Sequence, residues 1–159
     1  MGTIMNPVFR FAQASFILPF VLLAACAPLA LKPADFGWPV ESVLKADASG
    51  MVQENRYQVS FSIKPLVFEE KEDSMDVGGL SVRVIRDQAG YYYITSSGFR
   101  HVYVFGTGDG ALVLENKILV SEKGLQSPAF NARPPYVQLL SAGEKPRLLS
   151  RSGIQEGGR

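Results

Sequence analysis

The chain of 159 residues is predicted to be all-β, a small antiparallel β-sandwich or open barrel of about seven to nine short strands, preceded by one apolar N-terminal helix. Three observations support this prediction. Apolar residues recur at every second position in several short runs. Turn-forming residues separate these runs at intervals of roughly 8 to 12 residues. After the N-terminal region, no long stretch carries apolar residues at helical spacing.

A proline-rich segment leads into the predicted domain. Residues 27–41 contain three prolines, which remove backbone donors and disfavour helix, so we expect an extended tether. Phe36 and Trp38 are too apolar for a free linker, and we expect them to dock on the domain. Residues 40–44 fit either a short helical turn or a strand that turns at 47–50.

The clearest strand is predicted over residues 57–63. Apolar side chains alternate there with glutamine and serine, which gives the strand one apolar and one polar face. Pro65 is expected to end regular pairing or to mark an edge, and residues 66–68 are expected to continue extended.

The rest of the domain is read as short strands joined by turns. A charged loop over 69–79 and a glycine-rich hairpin loop over 106–110 separate some of them. Residues 126–135 are expected to be irregular and 150–159 to be a flexible tail. The further strands are predicted over 80–86, 91–95, 100–105, 111–115, 118–120, 137–140 and 148–149.

The N-terminal region has the order of features typical of a secretory signal. Arg10 supplies a positive charge, an apolar run extends over 14–23, and the small residues Ala24 and Ala25 follow. The predicted helix is therefore interpreted as that of a signal peptide.

The run Leu23-Ala24-Ala25-Cys26 resembles the lipobox of bacterial lipoprotein precursors, and Cys26 is the only cysteine. The resemblance implies cleavage before Cys26, acylation of its thiol, and stable anchoring by two or three acyl chains. Ala27 stands where an aspartate often retains lipoproteins in the inner membrane, so the resemblance implies the outer membrane, facing the periplasm.

Two alternatives to the lipoprotein remain open, and the predicted boundaries depend on which holds. Residues 11–31 are long enough for an uncleaved membrane anchor, and a plain signal peptide with an incidental cysteine is the other alternative. The lipoprotein interpretation gives a signal peptide over 1–25, a lipidated tether over 26–41, a single β-rich domain over 42–149 and a tail over 150–159.

The charge balance bears on the partners that we expect. Removal of residues 1–25 would take away Arg10 alone among the charged side chains, which leaves basic and acidic residues equal in number. A neutral chain gives no electrostatic argument for nucleic acid. We therefore expect no nucleic-acid partner.

The sequence offers few groups for catalysis or metal binding. His101 is the only histidine, no G-x-S-x-G motif is present, and acylation would use the only thiol. We expect His101 to be structural, and we expect no catalytic residue, metal site or cofactor. The acidic residues of 69–76 could offer oxygen ligands to calcium, but they lack EF-hand spacing, and a solvated loop is preferred. The glycines of 106–110 have no lysine and no following helix, so a turn is preferred to a phosphate cradle.

Three consecutive tyrosines form the one candidate binding surface. Tyr91 and Tyr93 would share one face of a strand and Tyr92 the other, so an exposed face could stack on sugars or contact a protein. The alternative is that the three rings pack within the sheet.

The expected function follows from the lipobox resemblance. It implies a membrane-anchored lipoprotein whose periplasmic domain is a non-catalytic accessory or interaction module of the cell envelope, with an envelope protein as partner. The alternative is a glycan-binding module on the same anchor, using the tyrosines.

Overall fold

The computed structural model describes residues 40–71 and 77–155, all of which belong to one compact unit, Pro33–Arg159. The predicted signal peptide and Cys26 lie outside the described residues, as do most of the tether, residues 72–76 and the last four residues. Within the described part of the chain, no helix is long and apolar enough to cross a membrane.

The described residues form eleven strands and one helix, against the seven to nine strands predicted. In chain order the elements are β1 Ser42–Lys45, β2 Met51–Glu54, β3 Val59–Ser62, α1 Lys64–Lys71, β4 Ser81–Arg86, β5 Tyr92–Ser96, β6 His101–Gly108, β7 Ala111–Leu119, β8 Ala129–Arg133, β9 Tyr136–Leu140, β10 Arg147–Ser150 and β11 Gly153–Gln155.

The strands form three antiparallel sheets, and none of them closes into a barrel. The largest has the order β1-β4-β5-β6-β7, the second has the order β11-β10-β9-β8, and β2 and β3 form a separate hairpin. The predicted all-β, sandwich-like fold class is therefore confirmed.

The five-stranded sheet is covered on both faces, because alternate residues of its central strands enter two different cores. On one face Val84, Ile94 and Tyr103 pack with residues of the β2–β3 hairpin and α1, which together form the first core. On the other face Ile85 and Tyr93 pack with residues of the second sheet, which together form the second core. All five residues of β5 are buried for this reason.

The side chain of Glu41 joins the two larger sheets. Its Oε1 accepts from the backbone N–H of Phe130 at 2.9 Å, and its Oε2 accepts from Arg83 at 3.2 Å. One carboxylate therefore holds the start of β8 against β4.

The segment after β3 was predicted as extended and is helical instead. Ile63, Leu66 and Val67 are buried, which is the spacing of one helix face. Pro65 lies in the first helical turn, where the missing N–H costs no intrahelical hydrogen bond. Proline therefore marks the start of a helix here and does not end a strand.

Three further boundaries differ from the prediction. Residues 111–115 and 118–120 were separated, but β7 is one strand with a bulge where the register shifts opposite Val104 and Phe105. Residues 126–135, expected to be irregular, contain β8. The expected tail forms β11, which pairs with β10 through Leu149 and Ile154. For residues 40–44, the strand alternative is the one observed.

Candidate functional sites

An open groove, which we call the seam groove, lies between β3 and the β6–β7 hairpin. Its cavity volume is about 520 Å³. Tyr57 to Phe61 line one side, Thr107 and Gly110 to Leu112 line the other, and Tyr92 also contributes to the lining. Within the described part of the chain, β3 pairs only with β2, and β7 pairs only with β6. The groove therefore lies between two strands that each end a sheet among the described residues.

Aromatic rings and guanidinium groups meet at one end of the seam groove. The rings of Tyr57 and Tyr92 touch edge to face, with centroids 5.7 Å apart. Arg86 lies 5.6 Å from the first ring and 5.4 Å from the second, and Arg56 lies 5.6 Å from the ring of Tyr57. Burial raises the pKa of Tyr92, so its hydroxyl remains protonated and neutral at neutral pH. The arrangement can contact a flat apolar group and an anionic group together.

A buried carboxylate lies behind this end of the groove. Glu54 is 3% exposed, and its Oε1 accepts from the backbone N–H and the Nε of Arg56 at 2.9 and 3.2 Å. Burial alone would raise the pKa of Glu54, but the Ser42 hydroxyl and Arg56 outweigh burial and lower it. The Oε2 atom has no hydrogen-bond partner among the described residues.

A second polar cluster lies on the same face of the sheet, around the carboxylate of Glu70. The side chain of Glu70 is fully buried. It accepts from the backbone N–H of Arg100 at 2.8 Å and of His101 at 3.2 Å, and from the Tyr103 hydroxyl at 2.9 Å. The His101 Nδ1 lies 2.8 Å from Glu70 Oε1. The cluster fixes the end of α1 to the start of β6.

The hydrogen bonds decide the protonation state of this cluster. Burial alone would raise the pKa of Glu70, but the bonds from Arg100, His101 and Tyr103 outweigh burial and lower it. Burial and the bond to Glu70 raise the pKa of Tyr103 well above its ordinary value. The pair is therefore a carboxylate with a phenol donor at neutral pH.

The predicted tyrosine surface does not form as an exposed face. Tyr92 and Tyr93 are 3% and 1% exposed, because both faces of β5 are covered. Tyr93 packs in the second core and donates to Asp87 at 3.2 Å, and Tyr91 is half-buried beside Arg151. Tyr92 still lines the seam groove, so one of the three candidate residues lies at a possible binding site.

The other candidate residues are placed as follows. His101 is largely buried in the Glu70 cluster. The acidic segment was preferred as a solvated loop, but Glu69 and Glu70 belong to α1, and residues 72–76 lie outside the described residues. Within 40–71 and 77–155, no three histidine, cysteine or acidic residues are grouped for a metal ion. Leu23, Ala24, Ala25 and Cys26 lie outside the described residues.

The glycine-rich segment 106–110 combines strand and turn. The turn consists of Asp109 and Gly110, both with positive φ, and the residues before them belong to β6. Two central residues of positive φ are typical of the tight type I′ hairpin.

Sequence reasoning missed Glu54 and Arg86, and it considered Glu70 only as a possible calcium ligand in a charged loop. A signal existed for Glu70, because it follows Ile63, Leu66 and Val67 at helical spacing and so belongs to the buried face of α1. No comparable pattern marks the other two, because they reach the groove only through pairing of strands distant in the sequence.

Comparison with known proteins gives no relative from which a role could be transferred. No protein-family model, curated protein or solved structure matches this chain.

Proposed function

We propose that this protein is a bacterial lipoprotein, anchored through acylated Cys26 in the outer membrane, whose β-domain is a non-catalytic interaction module facing the periplasm. One observation carries the proposal: the only cysteine follows Leu23-Ala24-Ala25 at the end of an apolar N-terminal run. The first described strand, β1, begins at Ser42, so the segment between Cys26 and β1 is long enough to hold the domain clear of the lipid.

The anchor is tested by the intact mass of the protein purified from its own membranes. We expect a mass that lacks residues 1–25 and includes acyl chains, and a Cys26→Ser protein that is neither acylated nor cleaved. A full-length, unacylated mass in the membrane fraction would contradict the proposal in favour of an uncleaved anchor. Separation of inner and outer membranes by density then tests the location.

The edge strand β7 supports the interaction role. It ends the five-stranded sheet, and Val113, Leu114 and Leu119 along it are exposed. An edge strand with exposed apolar side chains can pair with a strand of another protein. Asn116 occupies part of this edge, because its side chain accepts from the backbone N–H of Lys117 and donates to the Arg151 carbonyl, each at 2.8 Å. We propose that an envelope protein contacts this edge.

Crosslinking in cells tests this surface. A photo-reactive residue at Leu114 is expected to form one discrete adduct with an envelope protein, whereas the same group at exposed Gln88, in the turn before β5, is expected to form none. Equal labelling from both positions, or from neither, would contradict a partner at β7.

His101 is the residue through which the non-catalytic part of the proposal can be tested. It is the only histidine of the chain, and its Nδ1 lies 2.8 Å from Glu70 Oε1 within the buried cluster that joins α1 to β6. A hydrolase activity of the purified protein that disappears in His101→Ala, with the fold retained, would overturn this part.

Glycan binding is the second candidate function, and the seam groove favours it. Tyr57 offers aromatic surface beside the almost fully buried ring of Tyr92, and Arg86 has no carboxylate partner among the described residues. These groups fit a carboxylated sugar better than a neutral one. Binding to acidic members of a glycan panel, lost in Tyr57→Ala and kept in Val113→Ala, would favour this function over the first.

A further inference from the structure

The seam groove exposes part of the first core. Tyr57, Val59, Phe61 and Leu112 are partly buried apolar residues that pack on that core, and all four line the groove. An opening lined in this way can accept an apolar side chain.

The first described residue lies close to the groove. The Arg56 guanidinium donates to the backbone carbonyl of Val40 at 3.0 Å and lies 5.6 Å from the centre of the Tyr57 ring. One side chain therefore spans the interval between the groove and the point where the N-terminal tether joins the domain.

The tether carries two large apolar residues shortly before Val40. Trp38 precedes Val40 by two residues, which an extended chain covers in about 7 Å, and Phe36 precedes it by four. Two residues at this spacing lie on the same side of an extended chain. A tryptophan side chain can reach Tyr57 from there, and Phe36 lies two residues further along.

The groove and the tether also carry charged residues of opposite sign. Arg86 lies between Tyr57 and Tyr92 without a carboxylate partner among the described residues. Asp35 is the only acidic residue between Cys26 and Val40, next to Phe36. A carboxylate near Arg86 would give a charged pair at the rim of an apolar contact, as protein interfaces commonly have.

We propose that the seam groove is the docking site of the protein's own tether, with Trp38 against Tyr57 and Phe36 toward the β6–β7 hairpin. The docked tether covers the free edge of β3 and shortens the link between the domain and Cys26. A glycan that uses the groove must displace it. The docking does not depend on acylation, so the mass measurement on Cys26 tests a separate claim.

Trp38 is the only tryptophan, so its fluorescence reports this docking directly. In the protein purified from membranes, we expect emission shifted to shorter wavelength and weak quenching by acrylamide. Tyr57→Ala and Leu112→Ala should each shift the emission toward that of free indole and increase quenching. Val113→Ala is the matched control, since the adjacent exposed residue of the same strand does not line the groove, and should leave both unchanged.

A second measurement covers the case in which a groove variant does not fold. In a Cys26→Ser background, Phe36→Cys combined with Thr107→Cys should form a disulfide under mild oxidation, and Phe36→Cys combined with Ile154→Cys should not. Trp38 quenched as readily as free indole would overturn the proposal. So would protection that persists in both groove variants, or equal disulfide formation by the two pairs.

Discussion

Glu70 is a residue whose replacement by a side chain of the same shape should destabilise this domain. Its carboxylate receives hydrogen bonds from two backbone N–H groups and the Tyr103 hydroxyl, all within a buried site. Glu70→Gln keeps the shape but removes the charge and turns part of the acceptor into a donor. We expect a loss of about 2–4 kcal/mol in the free energy of unfolding, measured in urea.

Glu69 supplies the control for this substitution. It pairs with Lys117 at 2.5 Å, but both side chains are substantially exposed. Glu69→Gln should therefore cost less than about 1 kcal/mol. Equal losses in the two variants would contradict the role given to the Glu70 cluster.

The lowered pKa of Glu70 gives the domain a predictable acid sensitivity. The unfolded chain takes up this proton near pH 4.5, the ordinary value, and the folded protein takes it up only at lower pH. The stabilisation is complete above pH 4.5 and is lost as the pH falls through the folded pKa. Unfolding in urea from pH 6 to pH 3 should show a steeper loss of stability in the wild type than in Glu70→Gln. Parallel curves would show that Glu70 is not the group responsible.

The β5–β6 turn and the turn that follows β7 are in contact at Gly98 and Gly124. A Cβ on Gly124 would lie 2.7 Å from the backbone oxygen of Gly98, and Gly124 has a φ of +85°. The adjoining backbone is bonded across the same contact, since Gly98 N–H donates to Leu125 O and Leu125 N–H to Phe99 O, each at 2.8 Å. The β5–β6 turn is held in this way against the segment after β7.

Alanine substitutions at Gly98 and Gly124 distinguish the cost of backbone strain from the cost of a steric clash between the two turns. Gly98→Ala adds only the left-handed backbone cost of about 1–2 kcal/mol, because nothing lies within 4 Å of its Cβ. Gly124→Ala adds a clash with backbone and should cost about 1–3 kcal/mol more. Thermal unfolding of both variants measures the difference, and equal transition temperatures would show that the turns do not meet as described.

Strands with a clear local pattern were predicted well from the sequence. The strand over 57–63 has clear alternation, and β3 forms within it. The segment 66–68 was wrong because Pro65 was assigned to a strand end, although Ile63, Leu66, Val67 and Glu70 already have helical spacing. The bulge in β7 could not be predicted, because it depends on pairing with β6. The seam groove joins residues 57–61 to 107–112 and depends on topology in the same way.

The whole molecule is organised around β5, which contributes to both cores. Ile94 enters the first core and Tyr93 the second, so neither core can form without the same strand. The Glu41 bonds to Phe130 and Arg83 join the two larger sheets as well. The domain should therefore unfold as one cooperative unit.

A matched pair of cavity variants tests this cooperativity. Ile63 belongs to the first core and Leu149 to the second, and both are fully buried. Ile63→Ala and Leu149→Ala should each cost about 2–5 kcal/mol. Each should lower the midpoint of a single urea transition, with far-ultraviolet circular dichroism and tyrosine fluorescence giving the same curve. If Leu149→Ala instead gave two transitions, with the strand signal of the first core persisting after the second had melted, the two cores would be independent, and the four-stranded sheet would be an accessory layer on a smaller open barrel.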